Sequence, residues 1–223
     1  MTNEAMALAI ALPLLGGLAA AAWPTRSRGI GILTVLLSGA SVIWLFLLVM
    51  SHGEAYQLLG GWQPGLAIAL HADALSTLML LLTALVTLAV SVYATRYFRS
   101  SREAAGFWPL WLLLLAALNG LFLSADLFNL YVTLELLGLS AVALTALGGK
   151  RESIRAALRY LLVGLLGSMG YLVGVAMLYA AFGTLDMQQV GKRIAVDPAS
   201  EMALLLMTGG LLLKTALFPL HFW

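Results

Sequence analysis

The chain has 223 residues, 62% of them hydrophobic and 10% charged, with a mean hydropathy of +0.98 and a formal net charge of +2. A soluble globular domain carries about a quarter charged residues, so this composition excludes one of any size. It defines an all-α integral membrane protein, expected to form a single transmembrane domain over residues 1–223.

Most Lys and Arg fall in the connections between apolar segments and form no single patch, which argues against nucleic-acid binding. The absence of cysteine removes disulfides, thiolate metal sites and cysteine nucleophiles together. The first residues, MTNEAMA, are acidic where a signal peptide would be basic, so residues 5–23 read as a retained first span. Further apolar spans are predicted at 30–50, 73–95, 106–124, 126–147, 156–182 and 201–218.

Arg26 and Arg28 follow the first span, Arg96, Arg99 and Arg102 the third, and Lys150, Arg151, Arg155 and the nearby Arg159 the fifth. The other three connections are poor in net positive charge. By the positive-inside rule the N-terminus then lies outside and the end of the seventh span lies on the cytoplasmic side; the membrane expected is a bacterial inner or plasma membrane. The third span opens at Asp73, suited to the positive end of a helix dipole, and closes on Tyr93, Arg96 and Tyr97, which suit an interface. Span six holds Gly167, Gly170 and Gly174, including a Gly-x-x-x-Gly pair at 170 and 174 that favours close helix packing. Gly149-Lys150 and Gly191-Lys192 both fail the phosphate-loop pattern. His52, His71 and His221 sit on separate segments with no second ligand one turn away, so no metal site and no cofactor is expected.

Two residues are costly to place. Glu135 lies nine residues past Asp126, about 14 Å along a helix, close to the middle of a hydrocarbon core about 30 Å thick. An ionised carboxylate there costs at least about 2.5 to 3.5 kcal/mol, so Glu135 is expected to face protein or water, to be neutralised, or to pair with a cation. Lys214 is thirteen residues past Glu201, about 20 Å along the seventh span. It either snorkels to the near interface or works inside the bundle. Pro219 favours the second reading: it cannot donate to the Thr215 carbonyl, so the seventh helix should break within one turn of Lys214. Backbone opened at that depth persists only where protein or water satisfies it. The Gly209-Gly210 pair adds local backbone freedom. His221, seven residues past Lys214, has the chemistry of a relay toward the cytoplasm.

Three stretches resemble the antiporter-like proton-translocating membrane subunits shared by respiratory complex I, membrane-bound hydrogenases and Mrp-type sodium/proton antiporters. SADLFNLYVTLELLGLSAVAL (124–144) is similar to the family's fifth helix, with Glu135 at its key glutamate. ALRYLLVGLLGSMGYLVGVAMLYAAFGTLDM (157–187) is similar to the sixth helix, and KTALFPLHFW (214–223) to the lysine-bearing broken seventh, with Lys214, Pro219, His221 and Trp223 at motif positions. The wording DLFNLYV leans toward the Mrp D-type subunit. Members carry about fourteen helices in two inverted repeats, so the resemblance implies the N-terminal part of a longer antiporter-like fold, or a partner that supplies the remainder.

What the resemblance implies is a transporter subunit rather than an enzyme, part of a multisubunit complex that moves protons or exchanges sodium for protons. A buried Glu135–Lys214 pair would couple protonation to ion movement, with other hydrophobic membrane subunits as partners in the same bilayer. Two alternatives stand beside it: a structural subunit that moves no ions, in which Glu135 and Lys214 satisfy each other or hydroxyls such as Thr133 and Ser140, and a proton-pumping subunit of a NADH:quinone oxidoreductase or hydrogenase complex.

Overall fold

The computed structural model describes residues 2–60, 67–98, 101–194 and 197–220. Eight α-helices appear among them: α1 (Thr2–Ala22), α2 (Ser27–His52), α3 (Ala74–Tyr97), α4 (Ser101–Leu123), α5 (Leu127–Ala146), α6 (Arg151–Phe182), α7 (Met187–Arg193) and α8 (Pro198–Lys214). Six of them, α1 to α6, are long and apolar enough to cross a membrane. The seventh expected span is α8, which starts earlier and stops four residues sooner than the apolar run to 218 suggests. A paired hairpin, β1 (Ala55–Leu59) and β2 (Ile68–Ala72), and the seven-residue α7 have no counterpart among the expected elements, because segments this short repeat no pattern. The chain groups into two compact units, one drawn from Met1–Gln57 and His71–Leu123, the other from Leu58–Leu70 and Ser124–Trp223.

The first unit packs α1 against α2 and α4, with α3 on α2. Small residues allow the approach: Gly31 of α2 lies flat against the fully buried Trp108, and Ala5 and Ala9 of α1 are fully buried. One polar contact answers a specific defect. Pro13, inside α1, has no N–H, so the carbonyl of Ala9 one turn earlier has no helical donor. The buried Asn119 of α4 donates its Nδ2 to that carbonyl at 2.7 Å. Asn119→Leu is therefore expected to cost about 1 to 3 kcal/mol, the penalty of an unsatisfied buried acceptor. Adding Pro13→Ala, which restores an N–H, should recover part of the loss. Thermal unfolding of the purified single and double variants measures both effects.

α5, α6 and α8 form the second unit with α7. Asp126 caps α5, its Oδ1 accepting from the Asn129 amide at 2.7 Å and its Oδ2 from the Ala69 amide at 2.9 Å. Asp186 caps α7 in the same way through the Gln189 amide at 2.8 Å. The two caps are backbone neighbours: the Leu127 amide donates to the Leu185 carbonyl at 2.9 Å, and the Met187 amide to the Ala125 carbonyl at 3.0 Å. The start of α5 is thereby tied to the exit of α6. Asp197 caps α8 ahead of Pro198, and its hydrogen bonds from Ser200 hold its carboxyl below the usual carboxylate range.

Glycines set the seam between α6 and α8. A Cβ on Gly167 would stand 2.7 Å from the Gly210 carbonyl oxygen, and one on Gly174 would stand 2.6 Å from that of Ala203. At Gly170 the corresponding distance to Leu206 is an ordinary 3.6 Å. The close approach runs through Gly167, Gly174 and Gly210, and only in part through the Gly170-x-x-x-Gly174 pair. Gly210, expected to loosen the backbone, is a packing residue; Gly209 has nothing within 4 Å.

Candidate functional site

Three helices of the second unit bring one polar side chain each to a common point. Glu135 lies near the middle of α5, Ser168 near the middle of α6, and Lys214 is the last residue of α8. Lys214 Nζ donates to Glu135 Oε1 at 2.5 Å and to Ser168 Oγ at 2.6 Å. The Ser168 hydroxyl is within reach of two acceptors, Glu135 Oε1 and, at 2.9 Å, the Gly164 carbonyl. It has one proton to give. It therefore donates either to the carboxylate or to its own helix, while the ammonium, with three donors, serves both oxygens at once.

Glu135 and Lys214 are in direct contact, and their burial is only partial. The Glu135 side chain retains 19% of its exposure and that of Lys214 14%. The opening is a narrow cleft between α5 and α6, lined by Glu135, Gly138, Leu139, Tyr160, Gly164 and Lys214. Its cavity volume is about 20 Å³, room for about one water. Gly138 and Gly164 keep the cleft open: the Lys214 stem passes 4.0 Å from where a Gly138 Cβ would be, and a Gly164 Cβ would meet nothing within 4 Å. Because the cleft continues along α5 past Glu135 and back along α6 toward its start, it leads toward the basic 147–151 connection.

Helix α8 stops where the proline argument places its break. The Thr215 amide still bonds to the Leu211 carbonyl at 2.9 Å, but the chain then leaves the helix, with Ala216 at φ 51° and turns through Leu220. That left-handed conformation costs a non-glycine residue about 1 to 2 kcal/mol. With no N–H at Pro219, the helical alternative for Thr215 is closed. Lys214 thus sits at a helix C-terminus, where a cation is favoured by the carbonyl dipoles. His221 and Trp223 lie outside the described residues.

Ser168 has no place among the residues that the sequence singles out. Thr133 and Ser140 are the hydroxyls expected near Glu135, yet Thr133 Oγ1 turns back onto its own helix, at 2.9 Å from the Asn129 carbonyl and 3.0 Å from that of Leu130. The available signal is that Ser168 is the one serine in the 156–182 span and adjoins Gly167. A polar side chain beside a close-packing glycine is carried to the helix interface with it.

Residues 124–223 match the family described as NADH:quinone oxidoreductase/Mrp antiporter, transmembrane, which covers all three site residues. The chain is 42% identical over 197 residues to the N subunit of a NADH-quinone oxidoreductase of Desulforudis audaxviator, spanning 86% of this chain and 38% of that protein. It is 32% identical over 232 residues to the D-type subunit of the Na(+)/H(+) antiporter of Bacillus subtilis, spanning 99% of this chain and 46% of the relative. Among solved structures it superposes on a chain of the membrane-bound sulfane sulfur reductase, an archaeal respiratory membrane complex, with a TM-score of 0.90 and 31% identity, over 96% of this chain and 45% of that one. The fold and these matches define a multi-pass membrane protein of the antiporter-like class. The chain belongs to the NADH:quinone oxidoreductase/Mrp antiporter transmembrane family. It spans less than half the length of the relatives it matches. The identities run to both branches, so the lean of DLFNLYV toward the D-type is not sharpened by them.

Proposed function

We propose that this chain is a membrane subunit, or the N-terminal part of one, in a multisubunit complex that translocates protons or exchanges sodium for protons. The observation that supports this reading best is the Glu135–Ser168–Lys214 cluster at the break after α8. A carboxylate and an ammonium in direct contact can exchange a proton and leave two neutral groups, and a hydroxyl beside them can turn as the charge on the carboxylate changes. Ser168 supplies that mobility: it donates to Glu135 while the carboxylate is charged and turns to the Gly164 carbonyl when it is not. The cleft would deliver the proton on the side of the 147–151 loop. His221 is proposed as the next relay beyond Lys214, and Pro219 as the residue that keeps the helix broken. By the charge of its loops the N-terminus lies outside and the end of α8 toward the cytoplasm. The partners are other hydrophobic membrane subunits, as in the complexes to which the relatives belong.

Glu135→Gln tests the reading. It keeps the size of the side chain and a hydrogen-bond acceptor for Lys214 but takes up no proton. Proton or sodium flux in vesicles, normalised to assembled complex, is expected to fall by at least about a hundredfold, the scale on which proton-transfer groups act. Flux close to that of the unaltered complex would leave the scaffolding alternative in place. Ser168→Ala is expected to retain assembly but to shift the pH profile of flux, because the ionised carboxylate loses a donor. An unchanged profile with reduced amount of complex would make Ser168 a packing residue only.

The second reading is a proton-pumping subunit of a quinone oxidoreductase, favoured specifically by the 42% identity to the N subunit of such a complex. It uses the same cluster and differs in the energy source.

A further inference from the structure

We propose that the groove between α2 and α3 in the first unit binds an anionic glycerophospholipid, with an acyl chain along the groove and the phosphate at the arginines at its mouth. The groove consists of two adjoining cavities that share Val35 and Leu88. The larger has a volume of about 470 Å³ and is lined only by apolar residues. Gly39, Ala40 and Ala84 make it deep, and Leu36, Ile43 and Leu85 wall it. Small residues facing each other normally let two helices close together. Here they leave a furrow: a Cβ on Gly39 would meet nothing within 4 Å. The second cavity, about 100 Å³, carries the furrow on to Ile32, Ser91, Val92 and Thr95.

Positive charge stands at that end of the furrow. Arg28 is four residues before Ile32, on the same face of α2, and its Nη2 donates to the Phe98 carbonyl at 2.5 Å, which places its guanidinium at the end of α3. Arg96 lies in the last turn of α3, four residues after Val92 and on the furrow's face of the helix. Leu81 and Thr95 are fourteen residues apart, about 21 Å along the helix. One leaflet of a core about 30 Å thick is about 15 Å deep, so an acyl chain anchored at the arginines fits within the furrow. A transmembrane helix fits less well, because the furrow ends about two turns short of the start of α3 and would hold only part of its length. The arginines lie on the side that the loop charges assign to the cytoplasm, where anionic lipid is held at a membrane surface.

Native mass spectrometry of the purified membrane complex, titrated with phosphatidylglycerol or phosphatidylcholine of the same acyl chains, tests the proposal. The unaltered complex should bind phosphatidylglycerol in preference. Arg96→Gln should reduce that preference about fivefold, the factor one basic residue contributes at an anionic headgroup, and leave phosphatidylcholine binding unchanged. Gly39→Leu fills the floor from a Cβ position with nothing within 4 Å and should remove both lipids at unchanged thermal stability. Equal binding of the two lipids, or full binding by the Gly39→Leu variant, would overturn the proposal. A photo-cross-linking residue at position 85 gives an independent readout. An adduct of lipid mass supports it, and a polypeptide adduct would place a partner helix in the groove instead.

Discussion

Lys214→Arg is expected to stop ion translocation as completely as Lys214→Ala, while leaving more assembled complex. The charge of Lys214 is already satisfied by Glu135 and Ser168 at 2.5 and 2.6 Å. Arginine would preserve that charge and could bind the carboxylate through two parallel bonds. What it cannot do is release a proton in the working range, since the guanidinium stays charged at every physiological pH. If the step at α8 requires Lys214 to give up its proton, flux in the arginine variant should fall by about a hundredfold or more. Alanine removes the same function and also leaves Glu135 without its cation, a loss that is costly where the carboxylate is mostly out of water. Vesicle flux normalised to assembled complex separates the two effects. Near-normal flux with arginine beside collapse with alanine would leave Lys214 a fixed structural charge and end the relay interpretation.

Gly210→Val should be the most destabilising single change in the second unit. A Cβ there meets the Gly167 carbonyl directly and would lie 2.9 Å from the Tyr171 amide nitrogen. Both are backbone atoms, so no rotamer change relieves the clash, and α6 and α8 must separate. Overpacking of this kind costs about 1 to 3 kcal/mol, occasionally more. Separation also draws Lys214, one turn further on α8, away from Glu135 and Ser168. The expected result is a large loss of folded protein in detergent and loss of flux in what remains. Gly209→Ala, with nothing within 4 Å, is the control. It should be neutral or slightly stabilising, since alanine is preferred over glycine in a helix by about 1 kcal/mol. Equal behaviour of the two variants in thermal unfolding and flux would show that the seam does not set the site.

The elements that are long and strongly apolar are legible because hydrophobic length alone selects a membrane helix. Asp126 and Asp73 mark helix starts, and both do cap α5 and α3. Glu135 and Lys214 can be singled out because an ionisable group in an apolar run is expensive wherever the chain folds. The break after Lys214 is also readable, since the missing N–H of Pro219 is a covalent fact.

Other features depend on which helix faces which, and no local pattern records that. Asn119 serves the carbonyl that Pro13 leaves open, 110 residues away. Ser168 reaches Glu135 and Lys214 only because Gly167 lets α6 close on Gly210 of α8, so its role follows from a contact between distant segments. Gly209 and Gly210 are identical neighbours in sequence, yet helix rotation turns one to open space and the other onto backbone. The sequence by itself determined the class of protein and its two costly charges, because transfer energies and covalent geometry act residue by residue. Only the tertiary structure decided that the charges meet, that a serine joins them, and that a cleft leaves them partly open, because those depend on helix rotation and interhelical distance.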